Sequence, residues 1–460
     1  MARVVIIGGG ISGLSAAYHL QVEFGETDFV LVEGATDLGG TLGSENLDGF
    51  VFERGANGFL DNAPHTLEFA RKLGLDDQLR EANPISSTRY LFKNGKLHAL
   101  PTSPLSFLRS PVLSVGGKLR AFTEPFRATN RSGEEDSVSS FGRRRLGEEA
   151  MQTFLDPLVT GIYGGHVERL SLQSAFPTVA EMERRYGSLF AALRQKGREK
   201  RAREAEGKEP AKSKNTLWSF AEGMGTLVDA VRTKLESRVQ LNWRATSIQR
   251  TTKGFVVTGN GTEKENADAV ILALPSYAAA PLFASGDPET ARAFESIPYA
   301  PIAVVCMGFP RDAVRHALDG YGFLAPRDQG LRTLGAIFVS SLFEEHAPEG
   351  HVSLRCMIGG ARDPDAINNS DDALRNIVLE ELRPLLGLEG EPSPVRIYRY
   401  TRGIPQYNLG HRERIDRIER RLWDLPGIFI AGNAYYGVGV NDCVLAGRKK
   451  ARAVKEFFRT

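Results

Sequence analysis

The 460-residue chain reads as an α/β protein: a mixed sheet with helices on both faces, joined to a strand-rich second domain and a helical insertion. Three observations predict this. Residues 3–33 run as an apolar strand, a glycine turn, a helix, a second strand and a terminal acid. Val270-Ile271-Leu272-Ala273-Leu274 is a fully apolar strand closed by Pro275, suited to the middle of a buried sheet. Residues 427–458 give a strand, a glycine turn and a long helix at the other end of the chain.

The first unit has the order of a Rossmann-type dinucleotide-binding βαβ motif. Its turn is Gly8-Gly9-Gly10-Ile11-Ser12-Gly13. Gly8 permits the tight turn, Gly10 lets backbone approach a pyrophosphate, and Gly13 lets the helix pack on the strand. The helix N-terminus offers free N–H groups to phosphate. Glu33 follows about 20 residues later, where a carboxylate can hold ribose hydroxyls.

A second glycine pair follows, Leu38-Gly39-Gly40-Thr41. Phe50 and Phe52 alternate into a strand ending in the turn Gly55-Ala56-Asn57-Gly58. Residues 64–82 carry a helical stripe of Leu67, Phe69, Ala70 and Leu73. Residues 89–100 read as a hairpin about Asn94-Gly95 as a type I′ turn. Residues 105–190 look mostly helical. Residues 194–214 are a basic run, read either as a solvated loop or helix end, or as a patch facing anionic lipid. Residues 227–248 read as a helix and then a strand at 238–242, with further strands at 254–258 and 269–274. Residues 300–309, 333–340 and 351–358 form a second sheet. The expected domains are therefore 1–84 with 216–275 and 410–460 for the nucleotide, 85–100 with 297–409 for the substrate, and 101–215 as the helical insertion.

The net charge of +2 gives no global reason to expect nucleic acid as a partner. Cys306, Cys356 and Cys443 are far apart and predict no disulfide framework, and the eight histidines show no zinc spacing. No metal site is expected. The longest apolar stretch, residues 269–283, is short and broken by Pro275 and Pro281, so no transmembrane helix is expected. The strand at the N-terminus leaves no room for a targeting peptide, and a cytoplasmic protein is expected.

The fingerprint alone leaves nicotinamide and flavin open. The two further glycine turns let backbone approach an extended cofactor at more points. The segment Gly432-Asn433-Ala434-Tyr435-Tyr436-Gly437-Val438-Gly439-Val440-Asn441-Asp442 leads from a strand into a helix that Asn441 or Asp442 can cap. A helix N-terminus there suits the negative charge of a reduced flavin.

Five stretches of the chain carry a resemblance. They are Gly8 to Leu14 with Tyr18-His19-Leu20; Leu38-Gly39-Gly40; Arg89-Tyr90-Leu91-Phe92 with Leu97-His98-Ala99-Leu100-Pro101; Ile404-Pro405-Gln406-Tyr407 with Leu409-Gly410-His411; and Gly437 to Cys443. Over essentially its whole length the chain resembles the protoporphyrinogen/coproporphyrinogen oxidase family of haem synthesis, within the amine-oxidase-like flavoproteins. The resemblance implies FAD held by Gly8, Gly9, Gly10, Ile11, Ser12, Gly13, Glu33, Thr41, Gly55, Ala56, Asn57, Gly58, Ala245, Asn433, Val438, Gly439 and Val440. It implies a porphyrinogen pocket including Arg89, Gly161, Leu324, Ile337 and Met357. An aliphatic slot suits the macrocycle and a guanidinium suits a propionate. The implied reaction takes six hydrogens in three two-electron rounds, each a hydride to flavin N5, with O2 reduced to H2O2. No side chain is assigned as acid or base. The helical insertion resembles the family's membrane-contact domain, implying peripheral contact with the inner face of the cell membrane. A hand-over partner downstream in haem synthesis is compatible with the family, and the oligomeric state is left open, a homodimer included.

Protoporphyrinogen IX is the expected substrate, with coproporphyrinogen III as the alternative. Two departures, Thr41 where amine oxidases often carry arginine and Gly437-Val438-Gly439 where they carry an aromatic cage residue, weigh against an amine oxidase or carotenoid-type desaturase. Asn57 stands where some relatives carry a cation. A non-catalytic carrier of flavin and porphyrin is the remaining alternative.

Overall fold

A computed structural model describes residues 2–25, 27–130, 133–205 and 215–459. Its central sheet has five parallel strands, in the order Val239–Gln240, Asp28–Val32, Arg3–Ile7, Ala269–Leu272, Ile428–Ile430. Alternate residues of these strands face opposite ways, as the pleat requires. Val4, Ile6, Leu31 and Ile271 pack under the helices Ile11–Tyr18, Gly225–Leu235 and Val440–Phe457. Val5, Ile7, Val30 and Leu272 pack on the other side against an antiparallel meander, Ala245–Thr251, Gly254–Gly259 and Glu263–Ala267, and the helices Pro288–Glu295 and His411–Trp423. The antiparallel strands expected of a mixed sheet thus form a separate layer. Residues 276–296, outside every expected domain, pack into this same core.

The second sheet has seven strands and is antiparallel apart from one parallel pair. It joins Tyr299–Pro310, His351–Gly359, Thr333–Phe338, Gly322–Leu324 and Val395–Pro405 to the hairpin Tyr90–Lys93/Lys96–Ala99. The hairpin turn has positive φ at both Asn94 (52°) and Gly95 (75°), as a type I′ turn needs. One face, with Val305, Met307, Phe338, Leu354 and Ile358, is sealed by the helix Asp371–Leu386. The other face looks toward the central sheet.

Some boundaries differ from expectation. The helical stripe at 64–82 ends at Lys72, and Leu79–Glu81 is a strand paired with Leu217–Phe220. Gly74 (φ +78°) follows the helix, where a left-handed residue stops the pattern. The strand expected at 238–242 shrinks to Val239–Gln240, because Asn242 turns at φ 57°. The start of the basic run closes the helix Leu189–Ala205; Lys208, Lys212 and Lys214 lie outside the described residues. All three cysteines are buried and free.

Candidate functional site

A continuous cleft opens at the carboxyl ends of the central strands, where open α/β sheets bind ligands. It has two ends. About 490 Å³ is enclosed over the glycine turn and about 310 Å³ against the seven-stranded sheet, and both are lined by Ile11, Thr41, Leu42, Tyr400, Gly403, Asn433 and Cys443.

At the first end the turn is built as the sequence indicated. A Cβ on Gly13 would fall 1.9 Å from the Gly8 carbonyl oxygen, so only glycine lets the helix come this close. A Cβ on Gly10 would meet nothing nearer than 4.0 Å, which leaves the turn open above its backbone. The helix Ile11–Tyr18 has Gly10 as N-cap and no side chain bonded to its first turn, so its leading N–H groups face the cleft unclaimed. Glu33 lines the cleft and also braces the turn. Its Oε2 accepts from Gly9 N at 2.6 Å and its Oε1 from Ala35 N at 2.8 Å, so the carboxylate also fixes the turn. Gly39 N donates to Gly9 O at 2.8 Å, which ties the second glycine pair to the first. Gly8, Gly10, Ile11, Ser12, Glu33, Thr41, Ala245 and Asn433 all line this end. Gly9 and Gly13 stand behind the surface, and their contribution is to its shape.

The C-terminal segment closes the middle of the cleft. Tyr407 Oη donates to Asn433 O at 2.6 Å and accepts from Gly437 N at 2.8 Å, pinning the loop ahead of the helix Val440–Phe457. His411 stacks on the Tyr407 ring with centroids 4.0 Å apart. Asp442 Oδ2 accepts from Gly439 N at 3.1 Å, so Asp442 caps the helix. Asn441 does not: its Oδ1 accepts from Thr66 N at 3.0 Å and its Nδ2 donates to Leu60 O at 2.7 Å, bracing the loop after Phe59–Leu60. Val438 and Val440 line the cleft and Gly439 lies between them.

At the second end Gly55, Ala56, Asn57 and Gly58 face Ile302, Val304, Ile337, Met357 and Tyr400 of the seven-stranded sheet. The helix Asp156–Tyr163 brings Gly161 and Ile162 to the same space. Gly164 (φ 54°) ends that helix. A Cβ on Gly161 would lie 2.7 Å from Leu324 Cδ2, so Leu324 packs behind Gly161 and does not itself line the cleft. Arg89 is exposed at the rim, its guanidinium 5.2 Å from the ring centre of Tyr321, which does line the cleft. Of the expected pocket residues, Gly161, Ile337 and Met357 therefore share one wall, while Arg89 and Leu324 stand next to it.

Several lining residues were invisible in the sequence. Arg54, Arg355, Tyr321 and Tyr400 line the second end, and Trp243, Arg244, Tyr277 and Arg402 line the first. None lies in a glycine motif. Arg355 could have been noticed as a lone cation in the apolar strand His351–Gly359. Cations thus enter the cleft from Arg54, Arg355, Arg244 and Arg402, although Asn57 is uncharged. No Asp, Glu, His or Lys lines the second end among the described residues. Burial pushes the Cys443 thiol up to about 12, so it stays protonated at neutral pH. Glu53, next to this end, is held by Met224 N at 2.7 Å and Ser44 Oγ at 2.8 Å, and burial raises its carboxyl to about 7.

The donor set over the glycine turn fits an extended dinucleotide: an uncapped helix start and open glycine backbone, with no Cβ at Gly13 to hold the helix away from Gly8. Comparison with known proteins agrees. The model of the family described as flavin containing amine oxidoreductase matches residues 11–455. The mitochondrial protoporphyrinogen oxidase of Nicotiana tabacum is 31% identical over 485 residues, covering 100% of this chain and 95% of that one. The coproporphyrinogen III oxidase of Bacillus subtilis is 29% identical over 461 residues, covering 97% and 96%. A crystal structure from Exiguobacterium sp. 255-15, provisionally described as a protoporphyrinogen oxidase, superposes with a TM-score of 0.84 at 26% identity, covering 100% of this chain and 99% of that one.

Proposed function

We propose that this chain, a member of the flavin-containing amine oxidoreductase family, holds FAD along the cleft and oxidises a porphyrinogen to its porphyrin with O2 as acceptor. The observation that carries this reading is the second end of the cleft. It combines an aliphatic wall, two guanidinium groups and no acidic or imidazole side chain among its lining residues. That suits a large apolar macrocycle bearing carboxylates. Matching relatives are named for both porphyrinogen oxidations, so the names leave the substrate to the pocket.

FAD, when bound, supplies the hydride acceptor, and O2 carries the electrons away as H2O2 over three two-electron rounds. The protein's contribution is placement. The leading amides of Ile11–Tyr18 would hold the pyrophosphate, Glu33 and Ala245 the AMP half, and the backbone of Gly55 to Gly58 with Val438 to Val440 the isoalloxazine. The start of the helix Val440–Phe457 favours negative charge arriving beside it. Ile337, Met357 and Gly161 hold the macrocycle and exclude water. Pyrrole N–H groups can release protons once hydride has left carbon, so the lack of a lining base is no obstacle.

Protoporphyrinogen IX is the first substrate reading, since its two propionates share one edge that Arg89 can meet at the rim while the rest contacts aliphatic wall. Coproporphyrinogen III is the second, favoured by Arg54 and Arg355 within the cleft. Steady-state oxidation of both in air, with porphyrin and H2O2 followed together, tests the choice. A strong preference for the four-propionate substrate would reverse it, and amine turnover with both porphyrinogens inert would overturn the reaction class.

Peripheral membrane contact belongs to the same proposal. The helices Pro104–Arg109 and Val115–Phe122 expose Leu105, Leu108, Val115 and Leu119 at 53–74%. No helix among the described residues is long and apolar enough to cross a membrane. Insertion of these side chains at a lipid surface of the cytoplasmic face suits such a helix pair.

A further inference from the structure

Two polar side chains at the second end are buried and hold polar atoms without partners. Arg355 is 6% exposed and makes one hydrogen bond to protein, from Nη2 to Gly55 O at 2.5 Å; its Nε has none. Asn57 is 8% exposed, and neither Nδ2 nor Oδ1 is bonded. Arg355 has no ion-pair partner among the described residues, although Arg54, Tyr321, Tyr400 and Met357 share its cleft wall. A guanidinium always keeps its charge. The buried Glu53 carboxyl feels the Arg355 charge without pairing to it; left buried, unpaired and half-bonded, the guanidinium is costly, and an anionic ligand group relieves the cost.

The strand places this cation among the macrocycle contacts. Ile337 is the cross-strand partner of Arg355, and Met357 lies two residues on, on the same face. Arg355 does not line the end that holds the glycine turn and Glu33. We propose that Arg355, assisted by Asn57, is an inner carboxylate subsite that receives one propionate of the tetrapyrrole at the buried end of the cleft, while Arg89 meets another at the rim. The subsite rests on the porphyrinogen reading. A macrocycle with carboxylates on all sides gains more from it than one whose two carboxylates share an edge.

The test compares holoenzyme and its Arg355→Met form on coproporphyrinogen III, protoporphyrinogen IX and an uncharged octaalkylporphyrinogen, with flavin content and flavin reduction potential measured on both. Loss of a charge-assisted buried contact is expected to raise KM for coproporphyrinogen III about tenfold or more. The rise should be smaller for protoporphyrinogen IX and absent for the uncharged analogue, with Arg355→Lys between wild type and Met. Equal change on all three substrates, or an unmoved KM with a shifted flavin potential, overturns the subsite. Wild-type protein inert toward all three overturns the porphyrinogen reading itself. Should Arg355→Met not accumulate as holoprotein, Asn57→Ala and Arg355→Lys carry the same three-substrate comparison, and a pattern indifferent to carboxylate count in both overturns the subsite.

Discussion

The two ends of the cleft are built in opposite ways. Over the glycine turn nearly half of the lining residues come from two short stretches, 7–12 and 32–42, with a helix start and backbone amides as their chemistry. Against the seven-stranded sheet the surface comes from many separate segments between Ile11 and Cys443, most contributing one or two residues apart from the turn at 54–58. A backbone-built surface tolerates few substitutions because its residues are chosen for lack of a side chain. A side-chain-built surface can change its preference one residue at a time while keeping its walls. The difference separates what every member of such a fold must hold from what each can vary.

The comparison breaks most visibly at Gly13. Gly13→Val puts carbon where the Gly8 carbonyl oxygen is, 1.9 Å from even a Cβ. Overpacking of this kind costs about 3 kcal/mol or more, and flavin should be lost with it. Thermal unfolding and the visible spectrum of the purified protein measure both, and retained flavin at an unchanged Tm would refute the tight-turn account.

Glu53 lies next to the second end, behind the turn at 54–58, and its effect is set by pH. Its folded carboxyl sits at about 7 against an ordinary 4.5, because burial outweighs the two donors. Between those values the folded state keeps a proton that the unfolded chain has lost, so stability falls as pH rises from about 4.5 to 7 and is level beyond. The total is about 3 kcal/mol at one pKa unit per 1.36 kcal/mol. Glu53→Gln should flatten that part of the profile of Tm against pH; an unaltered slope would assign it to other groups.

At the substrate end, Gly161→Val should leave flavin bound while lowering kcat/KM about tenfold, since its Cβ presses on Leu324 and must shift the wall that Gly161 lends to the cleft. Loss of flavin instead would show that the two ends are not separable. The smallest effect is expected at Arg89. Exposed and resting on Tyr321, it is an anchor that binds ground and transition states alike. Arg89→Ala should raise KM about two- to fivefold with little change in kcat. A kcat loss larger than the KM change would place Arg89 nearer the reacting carbons.

Legibility followed the same division. The βαβ unit, the apolar strand at residues 269–272 and the hairpin at Asn94-Gly95 could be read because period, glycine placement and turn chemistry act over a few residues. Asn441 could not be assigned, since its side chain answers to Thr66 and Leu60, far away in sequence. The helical stripe past Lys72 was overridden by pairing of Leu79–Glu81 with a strand more than a hundred residues on.

The sequence by itself determined the nucleotide end of the cleft, because steric exclusion of Cβ atoms and the need of helix termini for partners are local constraints that glycine and capping residues record directly. Only the tertiary structure decided the substrate end. Arg355 is an ordinary strand residue until three strands, the Gly55 carbonyl and the helix carrying Gly161 surround it. Burial and the lack of an ion-pair partner among the described residues, which give it a purpose, are properties of the assembled cleft and of no segment within it.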